Sequence, residues 1–193
     1  MATIREGDRV ALIVVDVQVG VVHDAWDAAR IVDNIARAVD RARTAGTPIV
    51  WVQHADAQLP RDTPGWQWVP QLVPREGEHR VHKAFNSSFE RTDLDSHLAS
   101  LGVSHIVLAG AATNWCIRAT AYGALERGYD VTLVGDAHTT GSMQLDDGQT
   151  IDAAHVVSEL NLAMRWLEYP GRRNAVAMAD EVSFATTSGA AGA

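Results

Sequence analysis

A three-layer α/β/α domain with a central, mostly parallel six-stranded sheet of Rossmann-like type is the fold class this sequence predicts. Three observations carry it. Short β-branched apolar runs recur along the chain, each about the length of a buried strand. Amphipathic segments with helical spacing separate them, and that alternation implies a parallel sheet covered on both faces. Glycines 46, 102 and 128 stand where helices end, as C-terminal caps require.

The elements follow in order. "RVALIVVDV" (9–17) is a buried strand that closes on an acid. "DAARIVDNIARAVDRARTAG" (27–46) has apolar residues at 31, 35, 38, 39 and 42, a helical spacing, and Pro48 follows its glycine. "PIVWVQ" (48–53) is the second strand. Residues 54–80 hold four prolines, two glycines and Trp66 and Trp68, which makes a long loop. Loops of that length in a compact domain are often functional. "RVHK" (80–83) is a short third strand. "TDLDSHLASLG" (92–102) is a helix with Thr92 as N-cap and an acid at the capping-box position. "SHIVLAG" (104–110) is a strand, "NWCIRATAYGALERG" (114–128) a helix and "YDVTLVGDA" (129–137) a strand. A last long helix lies within 146–171, and "NAVAMADEV" (174–182) is a final edge strand. We expect one domain over 1–182 and a flexible tail over 183–193.

Composition narrows the function. Apolar residues make up 47% of the chain and charged residues 21%, the balance of a soluble globular protein. The net charge of −8 argues against nucleic acid and anionic membrane as partners, since both need a basic face. No apolar run reaches the ~20 residues of a membrane span. The first ten residues lack the apolar core of a signal peptide, so a cytoplasmic location is expected.

The chain has a single cysteine, Cys116, and a single lysine, Lys83, beside fifteen arginines. One cysteine cannot form an internal disulfide or a thiolate zinc site. It is either a small core hydrophobe or a reactive thiol. In open parallel sheets, sites form beyond the carboxyl ends of the strands. Asp16 closes strand one, Lys83 closes strand three, and Cys116 lies in the first turn after strand four. An acid, the lone lysine and the lone cysteine therefore converge on one rim. A helix N-terminus and an ammonium both favour a thiolate, and a carboxylate can take its proton. These features predict a thiol whose pKa lies below the free value of ~8.5.

Three segments carry a family resemblance: "ALIVVDVQ" (11–18), "HKAFNSSFERTDLDSHL" (82–98) and "VLAGAATNWCIRATAYGALERGYDVTLVGDA" (107–137). The chain resembles the isochorismatase-like cysteine hydrolases, in the amidohydrolase branch, over nearly its whole length. The resemblance implies an Asp-Lys-Cys triad at Asp16, Lys83 and Cys116. It also implies a cis peptide at Ala111–Ala112, with the amides of Ala112 and Cys116 aimed at a developing oxyanion. The activity implied is hydrolysis of a C–N bond in a small-molecule amide, ureide or lactam through a Cys116 thioester. The alternative is a vinyl-ether hydrolase that uses Asp16 without a covalent intermediate. The vinyl-ether enzymes lack a cysteine at this position, so Cys116 favours the first.

Other candidates are weighed beside these. Gln18 either orients Asp16 or faces a loop. Trp115 precedes the cysteine and is expected to line the substrate pocket, and Trp66 and Phe89 are further pocket candidates. The tryptophans of the 54–80 loop could form a lid or pack on another subunit. Relatives acting on nicotinamide carry a metal held by an aspartate and histidines after strand two. Here that stretch has His54 and Asp56 but no further histidine before His79, so neither metal nor cofactor is expected. Enzymes of this resemblance are usually oligomers, and a homodimer or larger closed assembly is expected.

Overall fold

The first strand sets the frame. In a computed structural model, which describes residues 4–185, β1 (Arg9–Val15) is buried at every position after Arg9. A strand with no wet face must be covered on both sides. Leu12 and Val14 enter one layer of core, while Ala11, Ile13 and Val15 enter the other. That is the two-residue alternation of a pleated strand.

A single helical turn, α1 (Val19–Val22), follows β1. Then α2 (Ala28–Thr44) covers the first face with Ile31, Ile35, Ala38, Val39 and Ala42. The strands β2 (Ile49–His54) and β3 (His79–Lys83) come next, then α3 (Leu94–Ser100) and β4 (Val103–Ala111). A π-helical turn over Thr113–Ile117 leads into α4 (Arg118–Glu126), and β5 (Asp130–Thr139) follows. A small antiparallel hairpin, β6 (Met143–Gln144) and β7 (Thr150–Ile151), precedes α5 (Ala153–Trp166) and β8 (Asn174–Ala177). The second face is covered by Leu94 and Leu98 of α3, Ala121 and Leu125 of α4, and Leu160 and Met164 of α5.

The six-stranded sheet has the order β3-β2-β1-β4-β5-β8, and every pair in it is parallel. The order runs one way from β1 to β3 and the other way from β4 to β8. The crevice at that reversal, beyond the carboxyl ends of β1 and β4, is where open α/β sheets hold ligands. Gly110 makes the close approach there possible. Its φ is +129°, and a Cβ at this position would sit 2.0 Å from the Val15 carbonyl oxygen. Only glycine fits.

Three local expectations are corrected. Asp93, not Thr92, is the N-cap of α3, and neither it nor the expected capping box closes the helix end. Thr92 Oγ1 accepts from the Leu94 amide at 3.4 Å and donates to the Ser88 carbonyl, and Asp95 accepts from Arg5 and from the Tyr129 hydroxyl. The expected long loop lies between β2 and β3, and it packs onto the core. Val69 and Leu72 are buried in the α2-side core, and Trp68 packs edge-on against the fully buried Trp51 at 5.4 Å. The last strand is four residues long and stops at Ala177. Finally, Phe184 is buried, and its carbonyl accepts from Thr47 Oγ1, so packing runs past the boundary expected at 182. Residues 186–193 of the expected tail lie outside the described residues.

Candidate active site

Three chain segments meet at the crevice. Asp16 is the first residue past β1 and adopts φ 52°, a left-handed conformation that Asp tolerates better than most non-glycine residues. Its amide donates to Val52 O at 2.8 Å, which ties the turn to β2. Lys83 is the last residue of β3. Cys116 sits in the π-helical turn after β4, which begins just beyond a cis Ala111–Ala112 peptide.

The three side chains are buried and in contact. Lys83 Nζ donates to Asp16 Oδ2 at 2.6 Å and to Cys116 Sγ at 3.1 Å. Relative exposures are 1% for Asp16, 3% for Lys83 and 8% for Cys116. Asp16 Oδ1 is buried with no protein partner, so one lone-pair face of the carboxylate is left for a thiol proton or a bound molecule. Asn86 Oδ1 lies 4.0 Å from the sulfur, and His54 Nδ1 lies 3.4 Å from Lys83 Nζ.

Electrostatics correct one expectation. Burial raises the Asp16 carboxyl above its ordinary range, with Lys83 opposing. Burial, and then the Asp16 charge, push the Cys116 thiol up to about 12, against a smaller pull downward from Lys83. The resting thiol is therefore protonated, not lowered below the free value. A thiolate forms here only as its proton passes to Asp16, and the raised carboxyl is a better acceptor for it.

The pocket candidates divide. Gln18 is fully buried, and its amide is consumed by backbone: Nε2 donates to His54 O and Trp66 O, and Oε1 accepts from His54 N. It links three segments and neither touches Asp16 nor faces a ligand. Trp66 stacks on His82, whose side chain leaves β3 on the face opposite to Lys83. Phe89 is buried in the core and stacks on Tyr129 at 5.9 Å. Trp66 and Phe89 are thus packing residues. Trp115, inside the turn that carries the thiol, is 55% exposed.

Sequence reasoning missed a buried relay behind the turn. Asn161 Nδ2 donates to Gly135 O at 2.8 Å, so its Oδ1 is free to accept from His138 Nε2–H at 3.1 Å. That leaves His138 Nδ1 to accept the Thr113 hydroxyl at 2.9 Å. Burial holds the His138 pKa down at about 4, so the ring is neutral. Thr113 begins the turn that carries Cys116, and the relay fixes it to β5 and α5. The residues were visible in the sequence, but nothing in their spacing joined 113, 138 and 161. His54 and Asp56 do pair, Nε2 to Oδ2 at 3.0 Å. Among the described residues no group of three or more His, Cys, Asp or Glu could hold a metal ion.

The family model described as the isochorismatase domain matches residues 10–160, which spans β1 to α5. The chain belongs to the isochorismatase family. This isochorismatase-family protein is 38% and 35% identical to two streptothricin hydrolases of Streptomyces noursei, with 75% of this chain aligned in each case. The matches span only 55% and 60% of those two proteins. It is 32% identical to the ureidoacrylate amidohydrolase RutB of Klebsiella pneumoniae, over 47% of this chain and 52% of that protein. A crystal structure of an isochorismatase from Pseudomonas putida KT2440 superposes with a TM-score of 0.80, at 29% identity and 89% coverage of each chain. No helix among the described residues is long and apolar enough to cross a membrane.

Proposed function

We propose that this hydrolase cleaves a C–N bond of a small amide, ureide or lactam through a thioester on Cys116. One observation carries the reading: the buried Lys83 ammonium donates both to Asp16, at 2.6 Å, and to the Cys116 sulfur, at 3.1 Å. A packing cysteine has no use for a charged lysine and a carboxylate beside it, because burying that pair costs several kcal/mol per ion.

The chemistry runs in two halves. Asp16 takes the thiol proton as sulfur attacks the carbonyl carbon, and Lys83 stabilises the negative sulfur. The oxyanion accepts hydrogen bonds from the Ala112 and Cys116 amides. The C–N bond then breaks, and Asp16 returns its proton to the leaving nitrogen. A water next gives a proton to Asp16 and its oxygen to the thioester carbon. The C–S bond breaks, and the proton goes back to sulfur as the acid departs. Aspartate, lysine, cysteine and water balance every step without a cofactor.

Streptothricin heads the candidate substrates because relatives bear that name, and ureidoacrylate follows on the same ground. The test is a screen for amide hydrolysis over streptothricin, ureidoacrylate and a panel of small amides and ureides. Wild-type turnover that vanishes in Cys116→Ala supports the reading. Turnover that survives in Cys116→Ala removes the thioester and leaves an acid-only hydrolase working through Asp16.

A further inference from the structure

His54 and Asp56 resemble a fragment of a metal site, but their hydrogen bonds point elsewhere. A lysine ammonium has three N–H donors and no acceptor. Two of those of Lys83 go to Asp16 Oδ2 and Cys116 Sγ. The third faces His54 Nδ1 at 3.4 Å. For that nitrogen to accept, the ring must be neutral with its proton on Nε2, and Nε2 lies 3.0 Å from Asp56 Oδ2. A carboxylate accepts only, so Asp56 selects the required tautomer. Asp56 is fixed in turn, because its Oδ1 accepts from the amides of Gln58 and Leu59, both at 2.8 Å. His54 is the last residue of β2 and pairs in register with Lys83 of β3. The two side chains therefore leave the sheet on the same face.

We propose that His54 is a positioning residue for Lys83, set in its accepting tautomer by Asp56, and that this dyad keeps the ammonium aimed between carboxylate and thiol. The inference rests on the role given to Lys83 above. Without the third acceptor the buried ammonium keeps one unmet donor, and turning to satisfy it draws a proton away from sulfur or carboxylate. The design resembles the outer-shell carboxylate that orients a histidine in metal sites, with an ammonium in place of the metal.

Because Lys83 is the only lysine, protein labelled with ¹⁵N-lysine gives one Nζ resonance. Its three hydrogen bonds predict slow exchange with water in the wild type. His54→Leu is expected to speed that exchange at least tenfold and to slow alkylation of Cys116 by iodoacetamide about tenfold. His54→Asn, whose side-chain oxygen can stand near the Nδ1 position, is expected to recover most of both. Asp56→Ala, at a half-exposed position, is expected to move both readouts in the direction of His54→Leu by a smaller factor, and it decides the matter should His54→Leu not fold. Variants that keep wild-type exchange and alkylation overturn the proposal. Equal losses in His54→Leu and His54→Asn also overturn it, since they would reflect packing alone. Native wild-type Cys116 that never alkylates overturns the thioester reading itself, whereas labelling at equal rates in wild type and variants sinks only the role of His54.

Discussion

Lys83 fills a place that arginine cannot. It is 3% exposed and meets an oxygen and a sulfur with one compact ammonium, whereas guanidinium is planar and larger. Lys83→Arg is expected to lower kcat by about 10²-fold or more, roughly 2.7 kcal/mol, with the fold intact. Near-normal turnover would take Lys83 out of the mechanism. The raised carboxyl and raised thiol hold one proton between them over a wide range of pH, so their titration belongs to the pair. Alkylation of native Cys116 is therefore expected to stay nearly flat from about pH 7 to about pH 9. It should fall on acidification, earlier than an ordinary carboxylate would dictate, as Asp16 takes up the second proton. A rate that climbs tenfold per pH unit through about pH 8, as for a free thiol, contradicts this. Lys83 and Cys116 were legible in the sequence because each is the only residue of its kind, and Asp16 because it closes a buried apolar strand. The direction of the thiol shift was not, because it depends on how deeply the sheet buries the group and on which neighbour comes closest.

The ends of the strands are held by interactions that work only in combination. Gln18 connects the end of β1 to His54 O, His54 N and Trp66 O with one amide. Gln18→Ala removes the side-chain partner of the His54 amide and carbonyl, while Trp66 O keeps its bond from Gln53 Nε2, and is expected to cost about 3 kcal/mol. The 55–75 segment should also become sensitive to protease. A urea midpoint within error of wild type would contradict that. At Gly110 an added methyl meets the Val15 carbonyl, so Gly110→Ala is expected to yield no folded protein, checked by circular dichroism of the purified chain. The relay through His138 carries its own pH signature. Its folded pKa of about 4 lies below the free value near 6.5, so the unfolded chain binds the proton first on acidification. The stability contributed by the neutral ring is complete above about pH 6.5 and is lost as pH falls toward about 4, about 3 kcal/mol in all. Nitrogen NMR of the His138 ring should show no titration above about pH 5, and a midpoint near 6.5 would contradict the buried relay. The strands and main helices were readable because period and apolar runs report burial directly. Thr92 misled because a capping box needs only local spacing, while Asp95 was drawn to Arg5 and Tyr129, partners far away in sequence. The hairpin of β6 and β7 is too short for any period to register.

Seen whole, the molecule leaves apolar groups on one side of α5. Leu162 is 58% exposed and Trp166 is 76% exposed, four residues apart on one helical face. We expect a dimer or larger closed assembly that covers them, weakened by Trp166→Asp. Light scattering that returns a monomer at micromolar concentration would contradict it. The acid balance of the chain has a further outcome when set beside its one lysine. All other side-chain cations are arginines and histidines, so the folded surface presents no lysine amine at all. An acylating reagent reaches Lys83 only in molecules whose strand ends have momentarily parted. Its modification therefore works as a clock for breathing of the rim: the observed rate, divided by the rate for a free amine, gives the fraction of time the crevice stands open. A single buried amine thus turns an ordinary labelling reaction into a measurement of local opening at one defined point of the fold.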